Sequence, residues 1–308
     1  MLVFMFFKRY PYITYLGTCV LFYILINGIV GSDICYSQAS CNPDWRRSGT
    51  QPSLATINRH FDDAGFNQLG SNSLPLQNIN KGFPETTSVS AYVPCVRLKA
   101  IGAVESAQTA GAANFNGWKQ FNAGYGSNGT TVVGRKGAAC GYGIFQVTDG
   151  MNAGGNAFPI GTLQPERVST QIQYNIGAGT IILINKWNQI EEAIGNNNPY
   201  IVEHWYYATW AYNSYSNVND PNDSRFPTSR SSWRCGRSST QNESDYPYQE
   251  KVWGCMRNPP LTSGNVLWRS VPAVLPNRSS LTFPTQTIPW DLARNYSCTK
   301  VYIPMAFK

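Results

Sequence analysis

Three short segments of this chain carry residue types that could transfer a proton and hydrogen-bond a polar ligand. Glu105 follows an apolar stretch, the segment Gly141–Gln146 reads Gly-Tyr-Gly-Ile-Phe-Gln, and a Tyr-Asn pair stands at Tyr212 and Asn213. Glycosidic cleavage needs an acid that delivers a proton to the bridging oxygen near neutral pH. A carboxyl group gains this property when burial raises its pKa. The sequence therefore predicts Glu105 as the general acid.

The position of Glu105 supports this interpretation. It lies four residues after Ile101 and seven after Leu98, and so on the same face of a predicted helix. A carboxylate turned toward a core is costly as plain structure. A capping or solvated glutamate is the structural alternative on this segment alone, and the presence of the other two segments favours the catalytic interpretation.

The Gly141–Gln146 segment predicts a turn and a short strand whose backbone can approach a ligand, because glycine adds no side-chain bulk. Gly143 would permit that approach, Phe145 would supply an apolar wall, and Gln146 could donate and accept hydrogen bonds. An ordinary hairpin is the structural alternative. Asp149 follows shortly afterwards and is a candidate second carboxylate.

In this order the three segments resemble soluble lytic transglycosylases and goose-type lysozymes. In those families the second block usually reads Gly-Leu-Met-Gln and the third Ala-Tyr-Asn-Ala-Gly. The resemblance covers roughly residues 93–216, and Ser214 and Tyr215 depart from the usual Ala-Gly. It implies a lysozyme-like fold with Glu105 as the acid and base of a peptidoglycan-cleaving enzyme.

The resemblance also implies roles for the other candidate residues. The segment with Gly143, Phe145 and Gln146 would line the glycan groove. Tyr212 would reach the catalytic carboxylate, and Asn213 would hold an acetamido sugar. Asn175 matches a further family position, which we interpret as packing and helix positioning.

Helical spacing of apolar residues predicts the elements that carry these groups. A first helix is predicted after Pro94, a second from Glu166 onward and a third from about Pro199. Their apolar positions are Val96, Ala100, Ile101 and Val104 in the first, Ile172, Ile176, Gly179, Leu183 and Trp187 in the second, and Ile201, Trp205, Ala208 and Tyr212 in the third.

The predicted fold class is α+β and mainly α. A lysozyme-like domain is expected over residues 91–216, with a small β-hairpin containing residues 143–147 at the glycan groove. Residues 33–90 are rich in Ser, Asn, Gln and Pro and predict a polar stalk or wrapping segment. Residues 217–308 are rich in Pro and Trp without helical period, which predicts an irregular extension or a small wall-binding module.

The N-terminal residues predict export. Residues 12–31 carry no charge, are mostly apolar and follow Lys8 and Arg9. This run is long enough to cross a bilayer, and the basic pair places the rest of the chain outside the cytoplasm. A cleaved signal peptide ending near Val30-Gly31-Ser32 has the same features. The protein is therefore expected to be either secreted or anchored to the membrane by residues 12–31.

Cysteine usage predicts disulfides. Seven of the eight cysteines follow the apolar run, and no Cys-x-x-Cys pair or nearby histidine gives zinc-ligand spacing. Disulfides in an oxidising compartment are the better interpretation. Three bridges are expected, namely Cys35–Cys41, Cys235–Cys255 and Cys95–Cys140, with one thiol left over.

The remaining composition suits a wall polymer as partner. The net charge of +7 fits an acidic polymer. No Lys/Arg run or aromatic-basic stripe predicts nucleic-acid binding. Gly124–Gly129 has dinucleotide-type glycine spacing but no predicted strand before it or helix after it, and the lysine after Gly129 is misplaced for a P-loop. The resemblance implies peptidoglycan strands as the partner, and we expect no metal or cofactor.

Three functions remain open from the sequence. A lytic transglycosylase needs a single acid and base, because the hydroxyl of the muramic acid itself closes on C1 to give an anhydro end. A lysozyme activates water, usually with a second carboxylate, for which Asp149 is the candidate. A non-catalytic glycan-binding or surface-assembly protein on the same fold is the rival class. The transglycosylase is favoured.

Overall fold

The described part of the chain contains six α-helices, four short 3₁₀ helices and two short antiparallel sheets. The computed structural model describes residues 41, 44–84, 86–106, 117–121, 131–132, 134, 140–153, 155–236, 241–262 and 265–281. These residues lie within one compact unit, 38–308. The helices are α1 (Leu54–Gly65), α2 (Cys95–Ser106), α3 (Pro165–Thr170), α4 (Ile172–Gln189), α5 (Tyr206–Asn213) and α6 (Tyr248–Arg257). The strands are β1 (Ile79–Lys81) and β2 (Thr87–Val89), which pair with each other, and β3 (Leu261–Thr262) and β4 (Asn265–Val266), which also pair. The prediction of a mainly helical α+β protein is confirmed.

Helix α1 lies in the region predicted to be a polar stalk or wrapping segment, and here the structure differs from the prediction. The Ser53 side chain accepts a hydrogen bond from the Thr56 amide and caps the helix. Ile57, Phe61 and Ala64 recur at intervals of four and three residues and are fully buried. These few apolar residues stand among many polar ones, so the polar composition of the segment does not indicate a helix.

Helix α2 is the innermost element, since none of its twelve residues is exposed. Its sequence predicts one apolar face, yet the protein also encloses the polar side chains of this helix. Lys99 forms an ion pair with Asp62 of α1, with the Lys99 Nζ and the Asp62 Oδ1 2.7 Å apart. The Arg97 guanidinium donates to the Thr209 hydroxyl and to the Val202 carbonyl. These contacts tie α2 to α1 and α5.

Helices α4 and α5 form where the second and third apolar stripes predicted helices. The second prediction began at Glu166, and the chain there forms α3, breaks at Gln171 and continues as α4. The third began near Pro199, and the chain there forms a 3₁₀ turn, Val202–Trp205, before α5. Trp187 of α4 packs on Trp205 with the ring centroids 4.3 Å apart.

Helix α6 shows that the predicted irregular C-terminal extension contains part of the core. Val252, Trp253 and Met256 are fully buried, and α6 packs against both α2 and α5. The Arg97 guanidinium stacks on the Trp253 ring, with the Arg97 Cζ 4.2 Å from the ring centroid. The helix escaped prediction because its apolar residues cover barely three turns within a Pro-rich region.

The disulfides confirm one predicted pair and correct two. Cys235 bonds to Cys255, as predicted. Cys41 bonds to Cys140 with their α-carbons 5.6 Å apart, so the predicted Cys35–Cys41 and Cys95–Cys140 bridges are wrong. Cys95 is itself disulfide-bonded. The Cys41–Cys140 pair spans 99 residues, a separation that sequence spacing cannot reveal.

Several predictions fall outside the described residues. These are the apolar run 12–31 with its choice between anchor and cleaved signal, the glycine pattern Gly124–Gly129, and Cys35. Within the described ranges, no helix has the length and apolar character needed to span a bilayer. The disulfides fit an oxidising, extracytoplasmic environment.

Candidate active site

Glu105 is held in the last turn of α2 and is only 9% exposed. The neighbouring Ser106 hydroxyl donates to the Gly102 carbonyl at 2.8 Å and accepts from the Lys119 amide at 3.2 Å. These bonds join the end of the helix to the chain that follows at Lys119. The predicted acid therefore lies at a fixed and largely buried helix end.

The Gly141–Gln146 segment forms a tight turn, which two buried amide side chains hold in place. Tyr142 and Val147 exchange backbone hydrogen bonds of 3.0 and 3.1 Å around the four-residue turn. The Asn175 side chain of α4 accepts from the Phe145 amide at 3.0 Å and donates to the Tyr142 carbonyl at 2.8 Å. The Gln120 side-chain oxygen accepts from the Ile144 amide at 3.0 Å. The predicted hairpin is thus reduced to one bridged pair with a turn between.

Gly143 is required at its position in this turn. Its φ of +73° lies in the left-handed region that favours glycine. A Cβ atom built there would lie 2.2 Å from the Asn175 side-chain nitrogen and 2.6 Å from the Gln120 side-chain oxygen. The glycine therefore lets Asn175 and Gln120 close on the turn, so its lack of bulk serves the protein's own packing.

Phe145 points into the core. Its side chain is fully buried, and its ring packs on Gly179 of α4, on Phe61 and on Tyr212. The sequence predicts that this ring forms the apolar wall of an open groove. In the structure the ring is covered by protein, and it supports the turn from beneath.

Tyr212 connects α5 to the turn and to two carboxylates. Its hydroxyl donates a hydrogen bond to the Phe145 carbonyl at 2.8 Å. Burial raises the pKa of Tyr212 well above its usual range, and the negative charges of Glu105 and Asp149 raise it further. The charges of Glu105 and Asp149, which come from distant parts of the sequence, therefore both act on Tyr212 in the folded protein.

The other predicted site residues differ in exposure. Asp149 is 8% exposed and Gln146 is 9% exposed. Gln146 has a φ of +47° and donates from its side chain to the Gly143 carbonyl at 2.8 Å, which stabilises the turn. Asn213 is exposed at the end of α5, and its side-chain oxygen accepts from Asn219 at 3.1 Å. Asn213 is thus the most accessible of the predicted sugar-binding groups.

Sequence reasoning missed two residues that shape this site. Gln120 holds the turn by accepting from Ile144 and donating to the Val168 carbonyl at 2.9 Å. Tyr248, the first residue of α6, stacks on Tyr212 with the ring planes 14° apart. Neither has a local sequence signal, because each acts across a long separation in the chain.

In the part of the chain that the structure describes, no three His, Cys, Asp or Glu side chains gather where they could hold a metal ion. Comparison of the chain with protein-family models, curated proteins and solved structures finds no match. The chemistry of the site is therefore argued from its own geometry.

Proposed function

We propose that this chain is an exported glycosidase of the lytic transglycosylase type, which cuts the β-1,4 bond between N-acetylmuramic acid and N-acetylglucosamine in peptidoglycan. The observation that carries the proposal is the grouping of a largely buried Glu105 with Tyr212, whose hydroxyl is bonded to the Gly141–Gln146 turn. A partly desolvated carboxyl group at a helix end is what a general acid requires.

The proposed reaction uses Glu105 twice. Protonated Glu105 gives its proton to the bridging oxygen, and the bond from C1 of the muramic acid to that oxygen breaks. The Glu105 carboxylate then takes a proton from the hydroxyl of the same muramic acid as this oxygen bonds to C1. The products are an anhydro-muramoyl end and a free N-acetylglucosamine end, and Glu105 is again protonated.

The hydrogen bonding of Tyr212 supports this role for its neighbour. Because the hydroxyl proton is directed to the Phe145 carbonyl, the hydroxyl can present only its lone pairs to a nearby carboxyl group. Lone pairs favour a partner that carries a proton. Tyr212 is therefore proposed to orient the protonated form of Glu105, and the exposed Asn213 is proposed to hold an acetamido group.

A lysozyme-type hydrolase is the second candidate function, and Asp149 favours it. Asp149 is 8% exposed and acts electrostatically on the same tyrosine as Glu105. Most glycosidases use two carboxylates in one site to activate water or to stabilise a glycosyl intermediate. A largely buried carboxyl group at the candidate site is expected of either enzyme and is not needed for glycan binding alone, which favours an enzyme over a non-catalytic glycan-binding protein.

The experiment that tests the proposal is digestion of purified peptidoglycan followed by mass spectrometry of the fragments. Glu105→Gln keeps the size of the side chain and removes its transferable proton, so lytic activity should fall by ~10² or more while the fold is kept. Glu166→Gln, at an exposed position of α3, is the matched control and should keep full activity. Full activity in Glu105→Gln would overturn the proposal.

Asp149→Asn separates the two candidate reactions. A transglycosylase should keep most of its rate in this variant and still release anhydro-muramoyl ends, because it needs no water-activating carboxylate. If Asp149→Asn is inactive and the unaltered enzyme releases only reducing ends, the protein is a lysozyme. Circular dichroism of the variant distinguishes lost chemistry from lost folding.

A further inference from the structure

A cavity lined by none of the candidate active-site residues lies against α6 and has an excess of positive charge. Its volume is about 320 Å³, a size that suits a small-molecule ligand. The cavity is bounded by the chain at Arg230–Trp233, by one face of α6 and by the segment Leu275–Arg278. Arg257 follows Tyr248 by nine residues, so about 14 Å of helix separates it from the ring that stacks on Tyr212. We call this space the arginine cavity.

The walls of the arginine cavity are fixed by the fold. The Cys235–Cys255 disulfide joins the first wall to α6, and the Asn258 side chain donates to the Trp233 carbonyl at 3.2 Å. A Cβ atom on Gly254 would lie 2.4 Å from the Trp233 carbonyl oxygen, so the two chains approach as closely as glycine permits. The cavity is therefore formed before any ligand arrives.

The third wall is also anchored. The Trp253 indole nitrogen donates to the Val274 carbonyl at 2.9 Å. The Asn222 side chain donates to the Arg278 carbonyl at 2.9 Å, and the Arg278 guanidinium donates to the Thr228 carbonyl at 2.8 Å. These bonds hold the guanidinium of Arg278 at the edge of the cavity.

The charges of the cavity do not balance. Three arginines and one glutamate line it. Glu250 forms an ion pair with Arg230, whose Nε donates to a carboxylate oxygen at 2.7 Å. Both side chains are over 90% buried. Among the described residues, neither Arg257 nor Arg278 has a carboxylate within 4.0 Å. The Arg257 guanidinium donates to the Ser232 hydroxyl at 3.4 Å and that of Arg278 to the Thr228 carbonyl, and each has further N–H groups that a ligand could use.

The end of α6 leaves this positive charge in place. A helix C-terminus presents carbonyl oxygens that would repel an anion. Here the Gly254 carbonyl accepts from Asn258, the Met256 carbonyl from Val271 and the Arg257 carbonyl from Ser270. These three carbonyls therefore already have donors, and the Arg257 side chain is exposed beside them.

We propose that the arginine cavity binds a ligand through an oxyanion, a carboxylate or a phosphoryl group, held by Arg257 and Arg278. The planar guanidinium presents paired N–H groups that match two oxygens of either anion, which makes arginine the preferred residue for both. The proposal does not depend on wall cleavage, because no residue of the candidate active site contributes to this cavity.

Calorimetric titration of the full chain with inorganic phosphate and, separately, with sodium acetate tests this proposal. Sodium chloride keeps the ionic strength constant. We expect saturable binding of at least one anion with a Kd on the order of millimolar. Binding of phosphate alone identifies a phosphoryl ligand, binding of acetate alone identifies a carboxylate ligand, and binding of both supports the shared site.

Variants locate the binding. Arg257→Gln and Arg278→Gln should each weaken the Kd roughly tenfold or more, since each removes a charge-assisted pair. Arg269→Gln removes an exposed arginine outside the cavity and should leave the Kd unchanged. Absence of saturable binding to either anion overturns the proposal, as does equal weakening in all three variants. Arg257 is exposed, so its variant is expected to fold and suffices if Arg278→Gln does not.

Discussion

At the scale of single residues, the hydrogen bond from Tyr212 to Phe145 joins α5 to the backbone of the turn, and the charge of Glu105 acts on the same tyrosine. The hydroxyl group is not needed to fill space, since the ring already packs on Phe145 and stacks on Tyr248. Its contribution lies in where its proton and its lone pairs are directed. This distinguishes an orienting group from one that transfers a proton itself.

Tyr212→Phe tests that distinction. Removing the hydroxyl leaves the Phe145 carbonyl without its donor, so the free energy of unfolding in urea should fall by roughly 0.5–1.5 kcal/mol. Wall-lytic kcat/KM should fall by about tenfold, much less than for Glu105→Gln, because only orientation is lost. Tyr200→Phe makes the same deletion away from the turn and should leave kcat/KM unchanged. A loss as large as that of Glu105→Gln would make the hydroxyl part of the proton transfer.

At the scale of elements, the turn at 141–147 is positioned by side chains from two other parts of the chain. Asn175 comes from α4 and Gln120 from the segment after α2, and they meet at the backbone of Gly143. The turn can therefore be displaced without altering Glu105, Tyr212 or Asn213.

Gly143→Ala should displace it. The added methyl group overlaps Asn175 and Gln120, and the φ of +73° adds backbone strain, so we expect a loss of roughly 1–3 kcal/mol in unfolding free energy together with reduced lytic activity. Gly70→Ala is the matched control, since Gly70 has a φ of +72° and an added Cβ would meet no atom within 4 Å. Equal losses in the two variants would show that backbone strain alone matters at Gly143.

Much of this arrangement is predictable from the sequence where local pattern decides it. The apolar stripes of α4 and α5 and the glycines of the turn are local signals, and they place Tyr212 and the turn on the correct elements. In α1 and α6 the apolar residues stand among polar ones, within segments rich in polar residues or proline, so the same method does not reveal these two helices. The contacts of Gln120 and Tyr248, and the pairing of Cys41 with Cys140, depend on how distant segments meet, which no spacing encodes.

At the scale of the whole molecule, the Cys41–Cys140 bridge connects the start of the described chain to the residue before the turn. It closes a loop of 99 residues, whereas Cys235–Cys255 closes one of 20. In the chain-entropy description, longer loops restrict the unfolded chain more, giving about 4.7 and about 3.3 kcal/mol for these two lengths. The Cys41–Cys140 bridge should therefore contribute more to the free energy of unfolding, and it should also fix the position of the turn that follows Cys140.

Replacing both cysteines of each bridge by serine tests this. The Cys41→Ser/Cys140→Ser protein should lose roughly 2–5 kcal/mol of unfolding free energy and much of its lytic activity, because Gly141 follows the bridge directly. The Cys235→Ser/Cys255→Ser protein should lose less stability and keep its lytic activity at temperatures where it is folded. Urea unfolding and wall digestion measure the two effects. The opposite order of losses would contradict this assignment.

The complete enclosure of α2 bears on how the protein opens. Proteins unfold locally where an element can leave without breaking its neighbours. Helix α2 has no such freedom, because α1 and α6 pack against it. Its own Lys99 and Arg97 side chains also bind to α1 and α5. Its detachment would require most of the core to separate, so Glu105 belongs to the last cooperative unit to unfold. We therefore expect fluctuations that loosen the surface to leave the carboxyl group largely buried for as long as the protein is folded.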